Sequence, residues 1–251
     1  MKENLFLECD LKLMIRIFLF NSGLELLSSL SKKQMQHPSI QNDLKRRGKP
    51  AGKVLLDFSI HQAALTKTQL ESNRGRPEIV HQAILQYLYS PVIKRWTSGL
   101  SMIVHTVDNQ TFLVPNAWNP PMNFFRFRGL MELLLTQKRL KTNIGNLSLR
   151  NNTVKEVISN KNEEKAVKVI ALTRHGKEHS LKEFQEKIDN YLRSDTQYTI
   201  LIGGHQHGEQ LDLLETPIDE KIALPGNKMP AWKVLNLIMG ALEFSDKFSE
   251  K

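Results

Sequence analysis

Cysteine is almost absent from this sequence, because Cys9 is the only one in 251 residues. A single cysteine cannot form a disulfide within the chain, and it excludes the cysteine clusters that hold structural zinc. We therefore predict a protein of a reducing compartment and expect it in the cytoplasm.

Long hydrophobic runs are also missing. The most apolar segment, Leu11 to Phe20, is interrupted by Lys12 and Arg16, and it is shorter than the roughly twenty residues that a helix needs to cross a bilayer. We interpret this segment as a first buried strand and expect no membrane partner. Internal repeats and low-complexity segments are absent as well, so a globular fold is expected.

Negative charge is in deficit. The chain has 26 Asp and Glu against 35 Lys and Arg, which gives a formal net charge of +9 and a pI near 9.6. Lysines and arginines that neutralise phosphates release counterions and so provide affinity for any nucleic acid. A polyanion is therefore the first partner to consider. The 40% of hydrophobic residues is enough for a sizeable core.

The pattern of apolar residues predicts an α/β fold with a mostly parallel sheet and helices on both faces. The regular part consists of strand Val167 to Leu172, helix Leu181 to Tyr191 after Ser180, strands Tyr198 to Ile202 and Lys221 to Leu224, and helix Ala231 to Phe244. Earlier segments predict strand Leu13 to Phe20, a helix capped by Asn21 or Ser22 over Leu24 to Leu30, strand Val54 to Asp57, and a hairpin of Leu100 to Val107 with Thr111 to Val114. A charged connector, Lys161 to Lys165, precedes the regular part.

Two of these strands end abruptly in glycine or proline. Gly203, Gly204 and Gly208 follow one strand, and Leu224-Pro225-Gly226 follows the next. Bare backbone at the carboxyl edge of a parallel sheet is where α/β proteins bind small molecules. The alternative is a pair of ordinary turns that end the strands.

Arginines recur at two places that suit phosphate. Arg74 and Arg76 precede Pro77, which is typical of the first turn of a helix, so guanidinium groups and helix N–H groups would meet there. Glu78 could fix the pose of Arg76, although a surface ion pair of this kind is worth only about 0–1 kcal/mol. The cluster Lys45-Arg46-Arg47 is either a solvated helix end or a phosphate contact.

The second place is a proline-rich loop, Pro115 to Arg128, that interleaves aromatic residues with Arg126 and Arg128. Such interleaving suits an unpaired base beside its phosphates. The alternative is that the aromatic rings pack onto the core, and we prefer it for Phe125 and Phe127.

Several short motifs occur in order along the chain: Leu55-Leu-Asp57, Arg74-Gly-Arg-Pro-Glu-Ile-Val-His81, Val104-His-Thr106, Arg126-Phe-Arg-Gly-Leu-Met-Glu132, Val169-Ile-Ala-Leu172, Leu201-Ile-Gly-Gly-His-Gln-His-Gly208 and Pro230-Ala-Trp232. In this set the chain resembles the Nep/Emg family of ribosomal RNA pseudouridine N1-methyltransferases, and most closely its archaeal members. The resemblance implies a SPOUT-class homodimer, with one domain over residues 14–246 after an extension of residues 1–13. It also implies a trefoil knot and a cofactor site within about residues 166–244.

The resemblance implies that S-adenosylmethionine is held mainly by backbone groups at the carboxyl-terminal strand ends. The corresponding residues are Leu172, Thr173, Gly203, Gly204, Gly208, Leu224, Pro225, Gly226, Asn227, Lys228 and Met229. His205 and His207 have no third ligand nearby in the sequence, so no metal site is expected.

The resemblance also implies a small-subunit ribosomal RNA substrate. Arg76 and Arg126 match arginines that the family uses on RNA, Glu78 replaces the usual aspartate beside the first, and Arg74 and Arg128 lie next to them. Where the family usually has arginines, this chain has Asn119 and Met122, and each lost phosphate contact should lower the salt dependence of binding by about one unit of slope. Arg128, Lys138, Arg139 and the Lys45-Arg46-Arg47 cluster could compensate, or binding is weaker.

The implied reaction is transfer of a methyl group to N1 of a pseudouridine, for which the base must leave its loop. Asp57 is the candidate general base, with a helix cap as the alternative interpretation. Two other functions stay open: a non-catalytic RNA-binding assembly factor, and a SPOUT methyltransferase that acts on tRNA.

Overall fold

The computed structural model describes residues 14–65, 74–96, 99–158, 167–205, 211, 215–226 and 228–245. Several sequence predictions fall outside these ranges: the extension of residues 1–13, the connector Lys161 to Lys165, and the residues His207, Gly208 and Asn227.

A seven-stranded sheet forms the centre of the described structure, with strand order β6-β3-β2-β1-β8-β7-β9. The five strands β2, β1, β8, β7 and β9 run parallel, and β3 is antiparallel to both β2 and β6. A separate hairpin pairs β4 with β5. The strands are β1 (Ile15–Ser22), β2 (Leu100–Thr106), β3 (Gln110–Val114), β4 (Arg139–Thr142), β5 (Gly145–Ser148), β6 (Arg150–Asn151), β7 (Val167–Glu178), β8 (Gln197–Gly203) and β9 (Glu220–Ala223). The predicted mostly parallel α/β sheet is confirmed.

The helices begin where the sequence provides caps. Ser180 and Glu183 form a capping box at the start of α8, Pro77 occupies the first turn of α4, and Gly48 ends α2 in the left-handed conformation that favours glycine. The helices are α1 (Lys32–Met35), α2 (Pro38–Arg47), α3 (Phe58–His61), α4 (Pro77–Tyr89), α5 (Pro91–Arg95), α6 (Phe124–Gln137), α7 (Val154–Ile158), α8 (Leu181–Arg193) and α9 (Ala231–Glu243). None of the described helices is long and apolar enough to cross a membrane.

Strand β1 lies in the middle of the sheet and is covered on both faces, which is why it reads as a continuous hydrophobic run. Ile15, Ile17 and Leu19 belong to the larger core, to which α4, α6, α8 and α9 contribute. Phe18 and Phe20 belong to a second core, which α7 covers. Helices therefore pack on both faces of the sheet, as predicted.

Two early predictions are wrong. The helix expected over Leu24 to Leu30 is only a 3₁₀ turn at Leu27–Ser29, because the Leu27 N–H donates to the Val54 carbonyl and not within a helix. The strand expected at Val54 to Asp57 forms a single antiparallel bridge, Leu26 to Leu55. Both segments are buried between two apolar clusters, and their backbone groups bond to each other instead of to a sheet. The apolar composition of such a buried segment does not distinguish it from a strand of the sheet.

Helix α6 also differs from its prediction. It begins at Phe124, whereas the sequence predicts a loop that extends to Arg128. The side chain of Asn123 caps the helix by accepting from the Arg126 N–H at 3.1 Å. The segment Lys138 to Asn152, which follows α6, contains β4, β5 and β6.

Strand β7 meets β9 twice. Leu172 and Lys177 both lie opposite Ile222, so the four residues from Thr173 to Gly176 make an excursion between the two contacts. Gly176 lies directly on the backbone of β9, where a Cβ atom would be 2.5 Å from the Ile222 nitrogen. Only glycine allows the two chain segments to approach this closely.

We predict that Gly176→Ala destabilises the fold by about 1–3 kcal/mol, because the added methyl group meets backbone atoms that cannot rotate away. Gly129→Ala is the matched control, since nothing lies within 4 Å of a Cβ there. Alanine inside α6 should be neutral or stabilise by up to about 1 kcal/mol. Urea unfolding of the three proteins measures both values, and equal stability of the Gly176 variant and the wild type would contradict the contact.

Candidate functional site

The carboxyl ends of β1, β2, β8, β7 and β9 lie at one edge of the sheet. Gly204, just beyond β8, donates its N–H to the Phe20 carbonyl at 2.7 Å. A Cβ atom at Gly204 would lie 2.2 Å from Ser22 Oγ and 3.0 Å from Ser22 Cα. The absence of a side chain at Gly204 is therefore already required by the packing of β8 against β1.

An open cleft of about 940 Å³ lies beside the end of β9. Its size is in the range of small-molecule sites. Four predicted cofactor residues line it: Leu224, Pro225, Gly226 and Lys228. Its other lining residues are Arg174, Glu178, His179, Ser180, Glu183 and Ala223.

The sequence analysis named none of those other lining residues as site residues. Apart from Ala223, they follow Leu172, where the predicted strand ended, but β7 continues to Glu178. The polar sequence after Leu172 resembles an ordinary connector, and only the second contact with β9 brings it to the cleft. A strand boundary placed just before the next capping residue, Ser180, would have included Arg174 and Glu178.

The cleft combines both signs of charge with bare backbone. Arg174 and Lys228 are cationic, and Glu178 and Glu183 are acidic. Gly226 adopts a φ of 114°, a conformation that favours glycine. Hydrogen bonds from the Ser180 N–H and hydroxyl lower the pKa of Glu183, so this carboxylate stays ionised. A ribose together with an ammonium and a carboxylate group would find acceptors and opposite charges here, which fits S-adenosylmethionine.

The remaining described cofactor candidates lie at neighbouring strand ends. Leu172 and Thr173 are where β7 first leaves its register with β9, and Thr173 Oγ1 accepts from the His175 N–H at 3.3 Å. Gly203 ends β8, and Met229 lies near Gly226, with its Sδ 3.7 Å from the position of a Cβ there. These residues share the edge with the cleft, and their contact with a cofactor stays a prediction.

The arginine turn is attached to the end of β1. The Arg76 N–H donates to the Gly23 carbonyl at 3.0 Å, and the Gly75 carbonyl accepts from the Phe58 N–H at 2.7 Å. Arg76 Nε forms the expected ion pair with Glu78, and its guanidinium lies 5.8 Å from the centre of the Phe58 ring. The position of Arg76 is thus fixed from two sides, beside the edge that carries the cleft.

Arg74 has an internal partner. Its Nε donates to both carboxylate oxygens of Glu25, at 3.1 and 2.9 Å, and its Nη2 donates to Ser29 Oγ at 2.9 Å. Glu25 is only 1% exposed, so this pair neutralises a buried charge. A phosphate contact by Arg74 stays a prediction, and its geometry favours a structural role.

Asp57 is buried and uses both carboxylate oxygens. Oδ1 accepts from the Ser59 N–H and hydroxyl at 3.1 and 2.5 Å, which caps α3, and Oδ2 accepts from Arg128 Nη1 at 3.3 Å. A general base needs an oxygen that can reach the proton it removes. These contacts favour the helix-cap interpretation, and the catalytic role of Asp57 stays a prediction.

The first turn of α6 presents large side chains to solvent. Phe125 is 68% exposed and Met122, just before the helix, is 72% exposed; Arg126 is exposed as well. Phe127 is buried and stacks on His81 at 4.4 Å between ring centres. The preference for core packing is therefore right for Phe127 and wrong for Phe125. Asn119 Oδ1 accepts from the Tyr89 hydroxyl at 3.0 Å.

The cationic cluster at the end of α2 is largely engaged within the protein. Arg47 and Lys49 bind the buried Glu132 carboxylate at 2.5 and 3.0 Å, and Arg46 binds Asp43 at 2.5 Å. The compensation expected from Arg46 and Arg47 would have to compete with these ion pairs.

Among the residues that the structure describes, no group of three or more His, Cys, Asp or Glu side chains could hold a metal ion. His205 instead packs edge-on against Phe20, with 5.6 Å between ring centres.

Residues 17–243 match the sequence model of the EMG1/NEP1 methyltransferases. The chain belongs to this family. It is 30% identical over 226 residues to the ribosomal RNA small subunit methyltransferase Nep1 of Thermococcus sibiricus. The matched region covers 90% of this chain and 96% of the relative. The corresponding protein of Staphylothermus marinus is 31% identical over 235 residues, covering 92% and 96%.

A solved structure has the same fold. The crystal structure of Archaeoglobus fulgidus Nep1 bound to S-adenosylhomocysteine superposes with a TM-score of 0.74 at 25% identity, covering 94% of this chain and 99% of that one. The resemblance read from the motifs is thereby confirmed, and with it the methyltransferase class and the SPOUT-type α/β architecture.

His105 is hydrogen-bonded to the backbone near the carboxyl end of β1. Its Nδ1 accepts from the Asn21 N–H at 3.2 Å, and Asn21 has a φ of 50° immediately before Ser22. Nε2 lies 3.1 Å from Asn109 Oδ1. Burial lowers the pKa of His105 to about 4, so the ring stays neutral and keeps its acceptor nitrogen at neutral pH.

We predict that His105 makes the fold sensitive to acid. The unfolded chain takes up a proton near pH 6.5 and the folded chain does not, so stability is lost as pH falls from 6.5 towards 4, by about 2 kcal/mol at pH 5. His105→Gln keeps an acceptor but cannot titrate. Urea unfolding at pH 7 and pH 5 should therefore show a smaller loss in the variant, and an equal loss in both proteins would rule out this role.

Proposed function

We propose that this protein transfers a methyl group from S-adenosylmethionine to N1 of a pseudouridine in small-subunit ribosomal RNA and so contributes to assembly of that subunit. One observation carries the proposal: the cleft at the end of β9 lies on the same sheet edge as the Arg76 turn, in a chain of the EMG1/NEP1 methyltransferase family. The names of the relatives and the S-adenosylhomocysteine in the related structure support the substrate and the cofactor.

The cofactor would lie against the strand ends. Leu224, Pro225, Gly226 and Lys228 line the cleft, and backbone groups near Leu172, Thr173, Gly203, Gly204 and Met229 would complete its boundary. S-adenosylmethionine supplies a methyl group that its positive charge has already activated. The remaining task of the protein is to align the nitrogen with that group and to exclude water, which can recover roughly 7–11 kcal/mol of barrier.

Removal of the N1 proton does not require Asp57 in this proposal. Both of its oxygens already accept hydrogen bonds, and its pair with Arg128 fixes an arginine of the candidate RNA face. We infer that Asp57 acts by positioning Arg128 and that alignment of the reactants, not a strong base, provides most of the acceleration.

The RNA face would consist of the Arg76 turn and the first turn of α6, which Arg128 and Asp57 connect. Arg76 and Arg126 would contact phosphates, and Glu78 would hold Arg76 in place. We further propose a cytoplasmic homodimer with a trefoil knot within about residues 166–244. The close approach of β7 to β9 at Gly176 is compatible with a tightly threaded chain in this region.

The decisive experiment is calorimetric titration with S-adenosylhomocysteine, followed by methyl transfer to a loop oligonucleotide that carries pseudouridine and to its uridine counterpart. We expect binding and transfer to the pseudouridine substrate alone. Absence of binding at millimolar ligand would contradict the proposal and favour a non-catalytic assembly factor. Binding without transfer to either oligonucleotide, but with transfer to tRNA, would indicate a different substrate.

The ion pair of Glu78 with Arg76 gives a prediction in which the direction of the effect on RNA binding and activity reveals the role of Glu78. Glu78→Ala removes a negative charge from a surface that should attract RNA, so long-range electrostatics alone predicts tighter binding. If Glu78 positions Arg76, kcat/KM for the RNA should instead fall about 10- to 100-fold. Glu186→Ala is the control, because it removes the same charge from an exposed position of α8. Loss of activity in both variants would argue against a specific role of Glu78.

A further inference from the structure

Phe125 lies at a prominent position on the candidate RNA face. It is 68% exposed and stands two residues after Asn123, the residue that caps α6. Met122, on the other side of that cap, is 72% exposed. A phenylalanine ring gains nothing from water, so two large apolar side chains at one helix start call for a partner.

One face of the Phe125 ring is covered by a cation that is itself held in place. The Arg128 guanidinium lies 5.2 Å from the ring centre, and its Nη1 donates to Asp57 Oδ2 at 3.3 Å. Asp57 is in turn fixed as the cap of α3. The arginine side chain is only 11% exposed, so it lies beneath the ring and does not extend into solvent.

The edge of the ring is supported as well. Phe124 lies 6.1 Å from Phe125 and 5.9 Å from His81 of α4. His81 Nε2 is 2.8 Å from the Pro121 carbonyl, and because burial lowers the pKa of His81, the neutral ring donates there. The loop before α6 is thus attached to α4, and Phe125 is presented on a rigid base.

We propose that Phe125 is a stacking platform for an unpaired nucleobase of the RNA, next to the target nucleotide. Every base has a flat π face, and base-aromatic stacking tolerates sequence variation. The arginine beneath the ring and the exposed Arg126 beside it provide positive charge for the phosphates that flank a stacked base. An acidic or purely apolar surface nearby would favour a protein partner, but the charged groups at this turn are arginines.

The platform also accounts for the uncharged Asn119 and Met122. A stacked base adds affinity without neutralising a phosphate, so the chain would recover part of the binding energy that the missing arginines no longer supply. Affinity gained in this way depends less on salt. This inference rests on the proposed function, and the experiment separates the two.

The test compares Phe125→Ala, Phe125→Trp and Leu133→Ala in binding a fluorescein-labelled pseudouridine loop oligonucleotide, measured by anisotropy. Leu133 is the matched control, because it is 45% exposed on the same helix, away from its first turn. We expect Phe125→Ala to weaken binding by roughly 5- to 100-fold and the tryptophan variant to keep wild-type affinity. The slope of log K against log salt should be unchanged in Phe125→Ala, since no phosphate contact is lost.

An abasic scan of the loop identifies the stacked base. One abasic position should weaken binding to the wild type and have no further effect on Phe125→Ala. If no position behaves in this way, or if Phe125→Ala binds as the wild type does, the platform is wrong. A Phe125→Ala variant that binds RNA normally but dissociates into monomers in sedimentation would assign the ring to a protein interface and would also overturn it.

The wild type serves to separate this inference from the function on which it rests. If wild-type protein neither binds S-adenosylhomocysteine nor modifies the oligonucleotide, the proposed function fails. If it does both and Phe125→Ala retains full RNA affinity, only the platform fails. Because Phe125 is exposed, its variants should unfold at the same temperature as the wild type, so a loss of binding cannot be attributed to unfolding.

Discussion

The buried carboxylate of Glu132 fixes the position of α6, and with it the candidate RNA face. Glu132 is 3% exposed and accepts from Arg47, from Lys49 and from the Leu55 N–H, which ties the helix to the end of α2 and to the segment that leads to Asp57. A carboxylate taken out of water costs several kcal/mol unless such partners surround it. Loss of one partner would therefore leave an uncompensated charge. This cost keeps α6 in one position relative to Arg47 and Lys49.

Carboxylates also hold the arginines at and near the candidate RNA face. Glu25 holds Arg74, Asp57 holds Arg128, and Glu78 holds Arg76. The total of 35 Lys and Arg side chains therefore overstates the number of cations that can meet RNA without first giving up an internal partner. If RNA binds at the proposed face, these arginines would already be oriented, which would lower the entropy cost of ordering long side chains on binding.

Local sequence signals were sufficient wherever a segment carried its own start and stop. Ser180 and Pro77 mark helix starts that the structure confirms, and the alternation after Val167 predicts the parallel strands. Prediction failed where tertiary contacts decide. Val54 to Asp57 has the composition of a strand but lies between two hydrophobic cores. Strand β7 continues past Leu172 because it pairs with β9 a second time. The polar half of the cleft was missed for that reason. The exposure of Phe125 could not be read either, since an aromatic residue in an apolar stretch is usually buried.

The family motifs predicted more than periodicity could, because they mark positions where backbone and charge leave no alternative. Gly204 has no room for a Cβ against Ser22, and Glu132 of α6 accepts from both Arg47 and Lys49 at the end of α2. In a single sequence, such positions can be recognised only when the whole ordered set of family motifs is present. By contrast, Asn119, Met122 and Phe125 are exposed, and no packing constraint dictates their identity. The exposed residues at the start of α6 can therefore change without disturbing the ion pairs beneath them.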